Sequence, residues 1–221
     1  VNFLKNLFAA VLIAYCALSA RADGLEALEI FIRSAASGRA EFTQVVTSPP
    51  REGQSPRSKT SSGTFEFLRP NRFKFVYRKP FEQTIVADGQ TLWLYDVDLN
   101  QVTARQQSSA LSSTPAALIA AAPDLRALQA EFTLAAAPDK DGLQWVVATP
   151  RAKEGQLLAV RVGFRAGEKS AVKSSQLAAL EILDSFGQRS LLNFSKVEVN
   201  PKLSSDTFQF KPPQGADVIR Q

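Results

Sequence analysis

Arg69 stands in line with a row of aromatic rings. In "FEFLRPNRFKFVYRKP" (65–80), Phe65, Phe67 and Arg69 alternate onto one face of a strand. Beyond Pro70, Phe73, Phe75 and Tyr77 share a face of the next strand. A guanidinium carries five N–H donors, and burying it without acceptors is costly. Turned inward, it needs carboxylate or carbonyl oxygens, and helix C-termini present unpaired carbonyls. Such an arginine can hold a covering segment shut over an apolar face. The alternative is that Pro70 ends the strand and Arg69 turns to solvent or stacks on a ring. The spacing leaves both open.

Other reactive groups are scarce. The chain has no His, which excludes Ser-His-Asp triads, zinc sites with His ligands and imidazole acid–base chemistry. Its one Cys, Cys16, lies in an apolar N-terminal run, and no GxGxxG leading into a helix or P-loop is present. A hydrolase with paired carboxylates would have to use Asp96 and Asp98, which share a strand face beside a turn at 98–100. Solvated turn carboxylates explain that pair. No catalytic residue, metal site or cofactor is assigned.

The elements that must position Arg69 can be read from periodicity. Residues 23–38 carry apolar residues at Leu25, Leu28, Ile32 and Ala35, a helical spacing with Asp23 as cap and Gly38 as stop. From residue 40 the period changes to two. Strands are predicted over 40–48, 63–69 and 71–78, and Asp88-Gly89 marks a hairpin within 84–97. There Thr91, Trp93 and Tyr95 face one way, Leu92 and Leu94 the other. "NQVTARQ" adds a short strand. The β pattern breaks at 108–129, an Ala- and Leu-rich stretch read as a short helix closed by Pro123, then a second capped by Asp124. Strands resume over 131–136, 143–149, 156–164, 176–184, 189–199 and 207–211. The fold class is mainly β: about ten strands in one large curved antiparallel sheet, covered by an N-terminal helix and a short helical lid. The Pro-rich 49–60 is a polar hairpin loop, either a solvated connection or, through Arg51, Arg57 and Lys59, a docking loop.

Residues 1–22 stand apart. Lys5 precedes the apolar run 7–20, and Ala20-Arg21-Ala22 gives a small-x-small cleavage pattern. This reads as a secretory signal peptide, removed on export, too short to span a bilayer, with residues 23–221 as a single domain. Cys16 is either a hydrophobic leader residue or a lipidation site, and Tyr15 before it does not suit the small residue lipidation requires. Losing Lys5 and Arg21 lowers the formal charge of +5 by two, to a mildly basic value that does not argue for nucleic acid. Signal and thiol usage point to the periplasm of a Gram-negative cell.

Phe65, Phe67, Phe73, Phe75, Tyr77, Trp93 and Tyr95 can line one concave face. A fully packed core accounts for such rows. Against it, "PAALIAAA" offers mainly methyl groups to cover a large aromatic sheet, and an incompletely filled concavity is where apolar ligands bind.

"AEFTQVVT" (40–47), "LRPNRFKF" (68–75), "IVADGQTLWLYD" (85–96), "STPAALIA" (113–120) and "FQFKPPQG" (208–215) together resemble the LolA family, periplasmic carriers of outer-membrane lipoproteins. The resemblance implies an unclosed antiparallel β-barrel with helices as a lid over a hydrophobic cavity. It implies cargo accepted from an inner-membrane ABC transporter of the LolCDE type and handed to an outer-membrane receptor of the LolB type, by a monomer without cofactor. It places a gating arginine at Arg69, its lid carbonyls at Leu118, Ile119 and Ala120, and a cavity ring at Phe73. Phe75 stands where the family often has Trp, and Ala116 and Ala117 replace bulkier lid residues. A lipid-binding sensor or scaffold of the same fold, and the receptor itself, are the alternatives.

Overall fold

The structure, a computed structural model, describes residues 23–50, 53–108, 122–153, 155–167 and 174–221. The leader at 1–22 and the lid positions Leu118, Ile119 and Ala120 lie outside the described residues.

Helix α1 (Gly24–Ser34) forms where the apolar spacing places it, and the Asp23 carboxylate caps it by accepting the Glu26 N–H at 2.9 Å. Leu28, Phe31 and Ile32 fall on one stripe and are buried with Ala27 and Ala35. The helix stops at Ser34, short of the expected Gly38. Gly38 instead lies in β1 (Ser37–Thr47), opposite Phe67 of β2 (Ser58–Leu68). A Cβ there would overlap the Phe67 ring, so glycine makes room for an aromatic rather than ending a helix.

Then come β3 (Arg72–Lys79), β4 (Gln83–Ala87), β5 (Thr91–Asp96) and β6 (Gln101–Gln106). Helix α2 (Leu125–Glu131) is capped by Asp124, as expected, whose Oδ1 accepts the Ala127 N–H at 2.8 Å. It leads into β7 (Phe132–Lys140), β8 (Leu143–Pro150), β9 (Leu157–Ala166), β10 (Ser175–Asp184) and β11 (Arg189–Val199). Two features of the C-terminus differ from expectation. Residues 207–211 are not a strand: a 3-10 turn at Ser205–Phe208 buries Phe208 and runs into irregular chain. The last element, β12 (Asp217–Arg220), pairs parallel with β6, and its four residues carry no alternation to announce it.

Among the described residues twelve strands form one sheet, ordered β12-β6-β5-β4-β3-β2-β1-β11-β10-β9-β8-β7. β1 stands mid-sheet, antiparallel to β2 on one side and β11 on the other. The end strands β12 and β7 do not meet, so the sheet stays unclosed. Helix α1 lies against β7 to β10. One continuous core joins its Leu28 and Phe31 to Phe42, Phe65, Phe67, Phe73, Phe75, Phe164 and Phe194 on the strands.

Candidate functional site

Arg69 lies just past β2, in the turn to β3. Its backbone N–H donates to the Ala36 carbonyl at 2.9 Å. Asn71, at φ +64°, takes the left-handed conformation that Asn tolerates well. Its carbonyl accepts from Gln107 Nε2 at 2.7 Å, and Gln107 Oε1 accepts the Gly89 N–H at 2.9 Å. The buried Gln107 thus ties this turn to the β4–β5 turn.

The Arg69 side chain points inward. Nε donates to the Ala35 carbonyl and Nη1 to the Ala122 carbonyl, each at 2.8 Å. Nη2 is buried and has no acceptor among the described residues. Ala35 is the C-cap of α1, where exposed carbonyls and the helix dipole favour a cation. The guanidinium carbon also sits over the rings of Phe31 and Phe67, 5.3 and 5.4 Å from their centroids. No carboxylate among the described residues pairs with it, and burial lowers its pKa from 12.5 to about 10. It remains charged at neutral pH. Arg69 therefore clips together the turn after β2, the end of α1 and the chain entering α2.

Below it the rings pack on one another. Phe65 stacks on Phe75 with centroids 4.4 Å apart, and Phe42 meets Tyr77 edge-on at 5.0 Å. Phe65 and Phe73 are 1% and 0% exposed, so these rings are buried at this end. Phe31, from α1, packs here against Phe67 and Phe164, with centroids 5.9 and 5.5 Å apart. A small cavity beside Phe31, Phe65, Phe67 and Leu177 holds about 10 Å³, room for one water. The other end of the same face is open. Gln44, Ser61, Tyr77, Gln83 and Asp96 line a groove of about 550 Å³ there, with the exposed Phe81 and Leu99 at its edge. Burial pushes the Tyr77 phenol up from 10.0 to about 12.

Directly paired residues of an antiparallel sheet share a face. Phe73 and Phe75 pair with Ala87 and Ile85, which pair with Leu92 and Leu94. Phe65, Phe67, Phe73, Phe75 and Tyr77 are thus brought together on the concave face. Trp93 and Tyr95 are not: they lie on the opposite face, a correction to their expected place in the cavity. Both rings pack on Phe210, at 5.5 and 6.1 Å, and the Trp93 indole donates to Asp88 at 2.8 Å. The C-terminal chain covers the outside of the sheet there, so the aromatic set serves that cover and the leucines face inward. Asp96 does turn work, accepting the Leu99 N–H at 3.1 Å.

Sequence reasoning missed Phe31, Ala35 and Ala122 as partners of Arg69. Phe31 follows Leu28 by three residues and was findable as part of the buried stripe. The two carbonyls belong to alanines and carry no side-chain signal.

Residues 33–211 match the family model described as "Outer membrane lipoprotein carrier protein LolA". The chain belongs to the LolA family. A protein called outer-membrane lipoprotein carrier protein from Albidiferax ferrireducens is 73% identical over 214 residues, which cover 97% of this chain and 99% of that one. One of the same name from Methylibium petroleiphilum is 52% identical over 203 residues, 92% of each chain. Among solved structures, a LolA superfamily protein from Nitrosomonas europaea matches with a TM-score of 0.50 at 11% identity, over 86% of this chain and 99% of that one. An uncharacterized conserved protein from Thermus thermophilus gives 0.51 at 13%, over 90% and 97%. These structural likenesses concern the fold alone. The span matched to the LolA model holds Arg69, its carbonyl partners Ala35 and Ala122, and all the rings of β2 and β3. Among the described residues of this LolA-family chain, no group of three or more His, Cys, Asp or Glu is gathered that can hold a metal ion, and no helix is long and apolar enough to cross a membrane.

Proposed function

We propose that this chain carries outer-membrane lipoproteins across the periplasm, with their acyl chains against the concave face lined by Phe65, Phe67, Phe73, Phe75 and Tyr77. It accepts them from an inner-membrane ABC transporter of the LolCDE type and surrenders them to an outer-membrane receptor of the LolB type. Residues 1–22 are the export signal and residues 23–221 the carrier domain. The observation that carries this reading is Arg69: a buried guanidinium holding two carbonyls, on α1 and before α2, over a wall of rings. Family membership supports it.

The physical need is large. Three acyl chains hold on the order of 40 methylenes, and at ~0.8 kcal/mol each their exposure to water costs roughly 30 kcal/mol. A carrier must cover them yet let them go. In the empty state Arg69 clips the cover to the sheet. Loading parts those hydrogen bonds, which offsets some of the binding energy; unloading restores them. The clip therefore favours delivery, and no chemical step is required.

Release of newly made lipoproteins from spheroplasts tests the reading. Purified protein is expected to bring them into the soluble fraction in stoichiometric complex. Lipoproteins that stay on the membrane at any protein concentration contradict it. Turnover of a soluble substrate, or co-purification of free lipid alone, points to an enzyme or a sensor instead.

A further inference from the structure

The guanidinium of Arg69 has more donors than the closed protein uses. Nε and Nη1 each hold a carbonyl at 2.8 Å, while Nη2 is buried with no acceptor among the described residues. A buried charged donor left unmatched is costly, and natural sites rarely keep one without a use. Arg161 makes the contrast. Its Nε is also unmatched, but its Nη1 lies 3.1 Å from Glu181, so its charge is met by a carboxylate. Among the described residues Arg69 has only carbonyl dipoles and ring faces.

We infer that Arg69 is also the docking donor for the ligand: Nη2, joined by Nη1 once Ala122 is released, donates to the ester or amide carbonyl that links each acyl chain to its headgroup. This rests on the carrier reading and deepens it. A hydrocarbon chain offers a guanidinium nothing, but every acyl chain ends in a carbonyl. On leaving water that oxygen needs a new donor. A donor already stripped of water and facing no partner is the fitting complement. The exchange is of like for like, a protein carbonyl for a ligand carbonyl. Opening then leaves no donor stranded, and the same swap in reverse lets cargo leave. The site thereby discriminates acylated ligands from plain alkyl ones, which a greasy hollow alone cannot do.

Methyl palmitate and hexadecyl methyl ether differ by one carbonyl oxygen and serve as probes. Each is titrated against an environment-sensitive dye bound to the purified protein, and the ratio of their affinities is read for wild type and Arg69→Leu. Loss of the clip alters both affinities alike, so only loss of the docking donor moves the ratio. The ester-to-ether preference of wild type is expected to exceed that of the variant by about tenfold. Equal ratios overturn the inference. Arg69→Met, which keeps an apolar stem without donors, is measured alongside with the same expectation, so a folding failure of Arg69→Leu does not remove the test. If neither probe displaces the dye from wild type while spheroplast release succeeds, the docking role falls and the carrier reading stands. If release fails as well, both fall.

Discussion

Arg69 and Tyr77 sit at opposite ends of one ring-lined face, and each gives a separate test. Arg69→Leu keeps the apolar wall and removes the clip. The variant is expected still to load lipoproteins from spheroplasts, because the apolar wall remains, but to fail in passing them to purified receptor, measured by pull-down of the tagged carrier before and after receptor is added. Normal transfer by the variant rejects the clip. Tyr77 reports burial through pH. Its folded pKa is raised from 10.0 to about 12 by desolvation, so the folded chain holds a proton that the unfolded chain has lost. Stability is therefore undiminished below pH 10 and falls as pH rises through about 12. Arg69, lowered to about 10, acts in the opposite sense, but it is common to wild type and Tyr77→Phe and cancels between them. Between pH 10 and 12 the Tm of wild type should drop relative to Tyr77→Phe. Parallel curves would mean that Tyr77 is solvated.

At the scale of elements, what was legible depended on whether the signal was local. Period-two alternation and the Asp88-Gly89 turn placed β3, β4 and β5 because strand and turn chemistry act over a few residues. Asp23 and Asp124 announced their helices for the same reason. Alternation separates two faces but does not say which is inside. Trp93 and Tyr95 looked like cavity rings, yet Leu92 and Leu94 took that side, because Phe210, more than a hundred residues on, covers the aromatic pair. β12 was illegible for a similar cause, its pairing being set by distant β6. The phase of Arg69 with Phe65 and Phe67 left an inward and a solvent-facing side chain equally open, and its acceptors carried no signal, since any backbone carbonyl can serve. Gly38 joins the elements to the site. It leaves room for Phe67, whose ring lies beneath the guanidinium. Gly38→Ala forces that buried ring to move and is expected to lose about 1–3 kcal/mol in denaturant unfolding, a typical cost of overpacking. A loss below a few tenths would show that the ring relocates freely.

For the whole molecule, an unclosed sheet that shares one continuous core with α1 explains how the carrier can be both closed and openable. Beside Phe31, Phe65 and Phe67 lies a small cavity of about 10 Å³, while the Tyr77 end opens into a groove of about 550 Å³. In the proposed carrier cycle, acyl chains lie along this face between the clip and the open end, as α1 and the chain before α2 give way. The sheet has two apolar surfaces, and only the concave one should meet lipid; the other is occupied by the C-terminal chain against Trp93 and Tyr95. Photocrosslinking from the two faces tests this most directly. A photoreactive amino acid is placed singly at Tyr77, Leu94 or Tyr95, and the protein is loaded with lipoprotein from spheroplasts and irradiated. Adducts with the acylated N-terminus of the cargo are expected from positions 77 and 94 and not from 95. Adducts from 95 alone, or from none of the three, would contradict a concave acyl-binding face.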